Sequence, residues 1–223
     1  TGETQMMQSN ELFTDRDREE IYAFFRTRDR WRDIVRWRML EHGPVDTVFY
    51  GDSIFELWPT AEAFPELSHL NRGIGGDNIN GLYFRLDEDI FPNSPRQVVI
   101  NIGINGIERD FNDSIARLKF VAELMREHGI RVWCNSIAPL RAPDAWDRFQ
   151  YQEKIVALNE VCRELFEREF AGFFDLHALL RDSSGQLAAE YAQPDGTHWT
   201  FAAYQAASKL LREKLLPEGK GKQ

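Results

Sequence analysis

The chain has few cysteines, few histidines, a deficit of positive charge and no long hydrophobic run, and each shortage excludes something. No stretch of roughly 18 consecutive apolar residues occurs, so the sequence offers no candidate transmembrane helix. Only Cys134 and Cys162 are present, both in apolar surroundings. They read as buried free thiols rather than a structural disulfide, and they say little about compartment. Neither CxxC nor paired Cys/His spacing occurs, so no zinc site is expected. A net charge of −9 argues against duplex nucleic acid as a partner, because that affinity comes from neutralising phosphates. No charged-then-apolar opening marks a signal peptide, and the chain begins at Thr1. A soluble protein is expected, in the cytoplasm, or secreted or periplasmic after loss of a leader.

What is present points to an ordered domain. With 223 residues, 43% of them apolar, the chain can bury a large core without disulfide or metal. One domain spanning 1–223 is expected. Its 16 Phe and 6 Trp are too many for disorder, and there is no internal repeat. The first dozen residues and the tail after Pro217 read as frayed.

Between those ends two textures alternate. Short β-rich runs occur at Thr47–Tyr50, His69–Asn71, Val98–Ile102, Ile130–Asn135 and Gly172–Phe174. Helical spacing covers Asp15–Leu40, Phe111–His128, Trp146–Phe170 and Phe201–Leu215, with Gly43-Pro44 and Gly129 as stops. Strands alternating with helices imply a parallel sheet covered on both faces. In such sheets the ligand sits beyond the carboxyl ends of the strands, so the residues that follow each strand matter most.

Gly51-Asp52-Ser53 follows the first run. A glycine there permits a tight strand-to-helix turn that exposes a hydroxyl, although Ser53 could equally be a plain helix cap. Asn71-Arg72-Gly73-Ile74-Gly75-Gly76-Asp77 follows the second. Three glycines in four positions point N–H groups into a cleft, before a helix expected to be capped by Asp77. The pattern is neither GxGxxG nor a P-loop, which leaves an oxyanion hole as the use of such groups. Gly103-Ile104-Asn105-Gly106 follows the third, and places an amide donor, or a mere turn residue, at the same edge. Near the end, Asp195-Gly196-Thr197-His198 lets Asp195 orient one imidazole nitrogen while the other faces a hydroxyl. Read alone, that loop could also be solvated.

The four motifs in this order resemble the GDSL, or SGNH, hydrolase superfamily. The resemblance runs from about Asp46 to the last helix. Gly-Ile-Gly-Gly-Asp and the preceding helical segment look most like the branch holding the catalytic alpha subunits of platelet-activating factor acetylhydrolase. It implies a three-layer α/β, flavodoxin-like fold with five parallel strands in the order 2-1-3-4-5. It implies a serine esterase acting on small acyl groups, acetyl above all, with no cofactor. By motif, the nucleophile falls on Ser53, the base on His198 and the acid on Asp195. The oxyanion donors fall on Ser53, Gly76 and Asn105, with Asp52 and Asp77 supporting them. Two positions depart from the pattern: Ile54 ends the first block, and Gly106 stands where many members carry Asp.

Other residues compete for these roles. His177, in Asp175-Leu176-His177, is the main rival, as half of a metal or Asp/His pair, against a helix-start role for Asp175. His42 and His128 read as helix-end residues, and His69 as surface or packing. Arg26 to Arg38, interleaved with Phe24, Phe25, Trp31 and Trp37, could lie on an anionic membrane or form a homodimer face. Packing of the aromatics with solvated arginines is the expectation. Trp58, Trp133, Trp146 and Phe149 read as core before pocket wall, and Ile137–Pro143 as a substrate wall. The expected partner is a small ester: an acetylated sugar, a lysophospholipid-like molecule or a simple ester. Two rivals remain, an inactive carbohydrate- or lipid-binding module and a nucleotide binder using the glycine loop.

Overall fold

A five-stranded parallel sheet in the order β2-β1-β3-β4-β5 organises the chain. The structure is a computed structural model that describes residue 9 and residues 11–40, 43–143 and 148–216. Most of the first dozen residues, His42, Trp146 and the segment from 217 onward lie outside the described residues. The strands are β1 (Thr47–Gly51), β2 (His69–Gly73), β3 (Gln97–Asn101), β4 (Arg131–Asn135) and β5 (Gly172–Phe174). The expected strand order and three-layer class are therefore observed. β2 continues two residues further than expected, and Ile102 lies just past β3.

The layers follow from strand alternation. Val48, Tyr50, Val98, Ile100, Val132, Cys134 and Phe173 face one side of the sheet. Phe49, Val99, Trp133 and Phe174 face the other. The first face is covered by α5 (Ile79–Phe84), α6 (Phe111–Glu127) and α7 (Gln152–Glu169), through Leu82, Val121, Met125 and Phe166. The second is covered by α3 (Ser53–Glu56), α8 (Leu176–Leu180) and α9 (Phe201–Leu215), through Phe55, Leu180, Ala207 and Leu211. Trp58, Trp133 and Trp199 belong to this second core, and the Trp58 indole donates to Ser208 Oγ at 2.9 Å. A short α4 (Thr60–Ala63) precedes β2.

The segment expected as one helix from Asp15 to Leu40 is two, α1 (Asp15–Phe25) and α2 (Asp29–Arg38). The break has a local cause. Thr27 Oγ1 donates back to the Phe24 carbonyl at 2.7 Å, and Arg28 is extended. The resulting bend turns both Phe25 and Ile34 inward, onto Ile74. The arginines of this arm are not all solvated as expected. Arg30 donates to the Asn71 carbonyl at 2.8 Å and Arg38 to Asp89 at 2.7 Å. The third expected helix begins as a 3-10 turn at Phe149–Tyr151 and becomes α-helical only at Gln152. Both cysteines are buried and free. No helix among the described residues is long and apolar enough to cross a membrane.

A polar seam runs across the carboxyl edge of the sheet. Asn135 donates to Asn101 at 3.1 Å, and Asn101 donates to Asp52 at 3.2 Å. Asp52 is buried, and its second carboxylate oxygen has no partner among the described residues. Burial raises its pKa to about 7, helped by the nearby Asp77 charge and opposed by hydrogen bonds from Ile54 N–H and Asn101. The folded chain therefore holds this proton more tightly than the unfolded chain does. Its stabilising contribution is complete below the unfolded value, near 3.8, and is lost as pH rises to about 7.

An Asp52→Asn variant is expected to gain stability relative to wild type as pH rises across that window, and to hold the gain above it. Urea unfolding of both proteins across that range measures the difference; a difference that does not change with pH would contradict the burial account. The sheet itself is tested by Phe49→Ala. This fully buried ring should cost about 3–5 kcal/mol in the same unfolding assay.

Candidate active site

Strand register brings the site together. In the sheet Gly51 is paired with Gly73 on one side and with Asn101 on the other. The residues after β1, β2 and β3 therefore emerge side by side. Gly51 is required there, since a Cβ would lie 2.0 Å from the Asn101 carbonyl oxygen. The turn after it is held by Asp52, not Ser53. Asp52 is the cap of α3, accepting from the Ile54 N–H at 3.0 Å. Ser53 is thereby the first residue of α3, with its side chain released from capping.

Ser53 and His198 meet from opposite ends of the chain. His198 Nε2 lies 2.9 Å from Ser53 Oγ, and His198 Nδ1 lies 2.5 Å from Asp195 Oδ2. The other Asp195 oxygen accepts from the N–H groups of Thr197 and His198 at 3.0 and 2.9 Å. Burial tends to raise the Asp195 pKa. The bonds from the His198 side chain and these two N–H groups outweigh burial and hold it below the usual carboxylate range. The loop is tied down by Gln193 N–H to the His198 carbonyl at 2.9 Å and by the Gln193 amide to the Trp199 carbonyl at 2.8 Å.

The glycine loop and Asn105 lie at the same edge. Gly76 adopts a φ of +83°, and its N–H has no partner among the described residues. Asp77 N–H donates to the Ile74 carbonyl at 3.0 Å, closing the turn around Gly75 and Gly76. Asn105 Nδ2 donates to the Asp77 carbonyl at 3.0 Å. This uses one amide hydrogen and fixes the direction of the other. The expected cap at Asp77 is corrected: α5 is capped by Asn78, whose side chain accepts from Asn80 N–H at 3.0 Å. Asp77 turns inward instead, to Arg85 at 2.5 Å. Burial raises its pKa to about 6, against the opposing pull of Arg85.

The rivals fall elsewhere. Asp175 caps α8, accepting from Ala178 N–H at 2.9 Å, and pairs with Arg163. His177 is buried in α8, where burial lowers its pKa. His69 packs edge-on against Phe49, and His128 ends α6 stacked on Phe91. Two small cavities flank the loop after β3. One, of about 20 Å³, lies between Asp52, Ile54, Ile104, Ala138, Leu140 and Trp199. The other, of about 50 Å³, is walled by Asn105, Ile102, Ile115, Leu118, Leu158 and Cys162. Ile137, from the expected wall segment, lines both. Sequence reasoning missed Arg85. A lone arginine in the apolar stretch Leu82–Leu86, four residues before Asp89 and eight after Asp77, was the available signal.

Comparison with known proteins gives the family. The profile of the GDSL-like lipase/acylhydrolase family matches residues 49–206. The chain is 26% identical over 199 residues to platelet-activating factor acetylhydrolase IB subunit alpha1 of Pongo abelii, covering 81% of this chain and 83% of that one. A GDSL-like lipase from Bacteroides thetaiotaomicron superposes with a TM-score of 0.74 at 24% identity, covering 84% of this chain and 97% of that one. An acetylxylan esterase from Geobacillus stearothermophilus superposes with a TM-score of 0.61 at 16% identity, covering 79% and 96%. These two structural likenesses are likenesses of fold. The family profile spans most of the chain, from β1 into α9, and on that basis the chain belongs to the GDSL-like lipase/acylhydrolase family and is a serine hydrolase of carboxylic esters.

Proposed function

We propose that this chain hydrolyses esters of short acyl groups, acetyl first, through an acyl-enzyme on Ser53. The observation that carries the reading is the run of contacts Ser53 Oγ–His198 Nε2–His198 Nδ1–Asp195, at 2.9 and 2.5 Å. A serine hydroxyl is a weak nucleophile until a base takes its proton. In this reading His198 Nε2 takes that proton as Ser53 Oγ attacks the carbonyl carbon. Asp195 holds the tautomer with the proton on Nδ1 and stabilises the imidazolium. The Ser53 N–H, the Gly76 N–H and the free hydrogen of the Asn105 amide face the developing oxyanion. The imidazolium returns the proton to the departing alcohol. Water, deprotonated by the same nitrogen, then cleaves the acyl-enzyme and releases the acid. Asp52 holds the turn beneath Ser53, and Asp77 holds the glycine loop.

Short acyl groups are favoured by room. The cavity next to Ile54 holds about 20 Å³ and the apolar one beyond Asn105 about 50 Å³. Both are small, and a short acyl group suits them better than a long chain. The relative from Pongo abelii is named an acetylhydrolase, which agrees with that size limit. An inactive binding module is disfavoured, because the hydroxyl, imidazole and carboxylate are already in hydrogen-bond contact.

The test is a p-nitrophenyl ester series from acetate to laurate. Wild type should be fastest between acetate and butyrate and should fall sharply by octanoate. Ser53→Ala and His198→Ala should each lose at least about 10⁴-fold in kcat. Asn105→Ala should lose about 10²–10³-fold with KM little changed. A Ser53→Ala variant that keeps wild-type rates would remove the nucleophile assignment, and a wild type inert on every ester would revive the binding-module reading.

A further inference from the structure

The glycine loop is held from beneath by a buried ion network that reaches the N-terminal arm. Arg85, Asp77 and Asp89 all have side chains that are 0% exposed. Arg85 donates to Asp77 Oδ2 at 2.5 Å and, through its other terminal nitrogen, to Asp89 Oδ2. Its guanidinium lies over the Tyr50 ring, 4.7 Å from the centroid, and beside Phe25 at 5.5 Å. Arg38, on α2, donates to the second Asp89 oxygen at 2.7 Å and also to Glu88. Arg72 stands 3.4 Å from Asp89.

Such a network is not explained by stability alone. Desolvating this many charges offsets most of their attraction, and apolar replacements of buried ion groups are often neutral. Its geometry shows another use. Asp77 sits between the Gly76 N–H and the Asn105 amide. One carboxylate oxygen accepts from Arg85, the other from Asn78 N–H at 2.8 Å, and its carbonyl accepts from Asn105 at 3.0 Å. A small rotation at Asp77 would therefore move both donors together. The arm also touches the loop from outside. A Cβ on Gly76 would lie 2.4 Å from the Phe24 ring, and one on Gly75 would lie 2.6 Å from Arg28.

We propose that Arg38–Asp89–Arg85–Asp77 is the device that positions the oxyanion donors, so that the arm formed by α1 and α2 is part of the catalytic apparatus. Arg38 and Arg85 act as positioning residues, and neither touches substrate. The inference rests on the oxyanion assignment proposed above. Donors fixed in advance stabilise the charge that develops in the transition state, whereas donors that must first be ordered lose part of that benefit.

The experiment compares wild type, Arg38→Gln, Arg38→Lys and Ser53→Ala. It measures kcat and KM on p-nitrophenyl acetate, the melting temperature, and the affinity for phenylboronic acid, which forms a tetrahedral adduct on a nucleophilic serine. Arg38→Gln should lower kcat about tenfold with KM within about twofold, and boronate affinity should fall by the same factor. Arg38→Lys should recover part of both. If Arg38→Gln does not fold, Arg38→Lys against wild type carries the same comparison. A lowered melting temperature with kcat and boronate affinity unchanged would make the network purely structural and overturn the inference. So would a fall in kcat with boronate affinity intact. If Ser53→Ala stays active, the catalytic reading itself fails. If Ser53→Ala is inert and Arg38→Gln matches wild type, only the positioning claim fails.

Discussion

The lateral register of three strand ends is the constraint on which the rest depends. Parallel pairing sets Gly51 against Gly73 and Asn101, so the chain leaves β1, β2 and β3 at one level. A parallel sheet with both faces covered leaves that edge as the place where loops can meet without helices above them. The hydroxyl, the glycine loop and the amide come from segments 20 or more residues apart, and only this register makes them neighbours. The packing is tight enough to dictate residue type. A side chain at Gly51 would collide with the neighbouring strand's backbone, and one at Gly73 would lie 2.3 Å from the backbone nitrogen of Glu56.

The same edge concentrates buried charge, and its two carboxylates are handled differently. Asp52 has hydrogen-bond donors and the weak pull of Arg148 but no ion-pair partner among the described residues, and its pKa rises to about 7. Asp77 is paired with Arg85, yet burial still lifts it to about 6. A full negative charge at Asp52 would oppose an oxyanion forming above Ser53. Raising its pKa, and pairing Asp77 with Arg85, limits the negative potential where the proposed chemistry needs the least of it. The cost falls on folding, because both carboxyls become less favourable as pH rises through this range. Asp195 is treated in the opposite way: three donors hold it ionised beside the imidazole.

The sequence made legible what depends on local residue types. Apolar β-rich runs marked the five strands. Glycine, serine, asparagine and histidine at the loops marked the candidate chemistry, because turn geometry and catalytic function each need particular residues there. What it did not make legible depends on which of several possible partners a side chain takes in the folded chain. Asp77 and Asn78 are both good caps, and nothing local says which one Arg85 will draw inward. The break at Thr27 is equally hidden. Arg26 to Arg28 contains no glycine or proline, and helical spacing continues across it. The helix divides where Thr27 Oγ1 turns back to the Phe24 carbonyl, and the bend is secured by packing Phe25 and Ile34 together on Ile74.

In the proposed esterase, selectivity on the acyl side would follow from the cavities that core residues line beside the site. Ile54, Ile104, Leu140 and Trp199, which line the smaller cavity, are all buried core residues. Enlarging it means disturbing packing that close-packed interiors resist. Beyond the proposed nucleophile and base the surface differs. Leu57, one helical turn after Ser53, is 50% exposed, and Phe201, three residues after His198, is 67% exposed. Those side chains can be exchanged without touching the sheet. An esterase built this way would keep its acyl limit fixed while its surface, and with it the accepted alcohol, varied freely. On the proposed reading, the acyl limit would be the part of the specificity set by the core, and the alcohol the part left to exposed side chains.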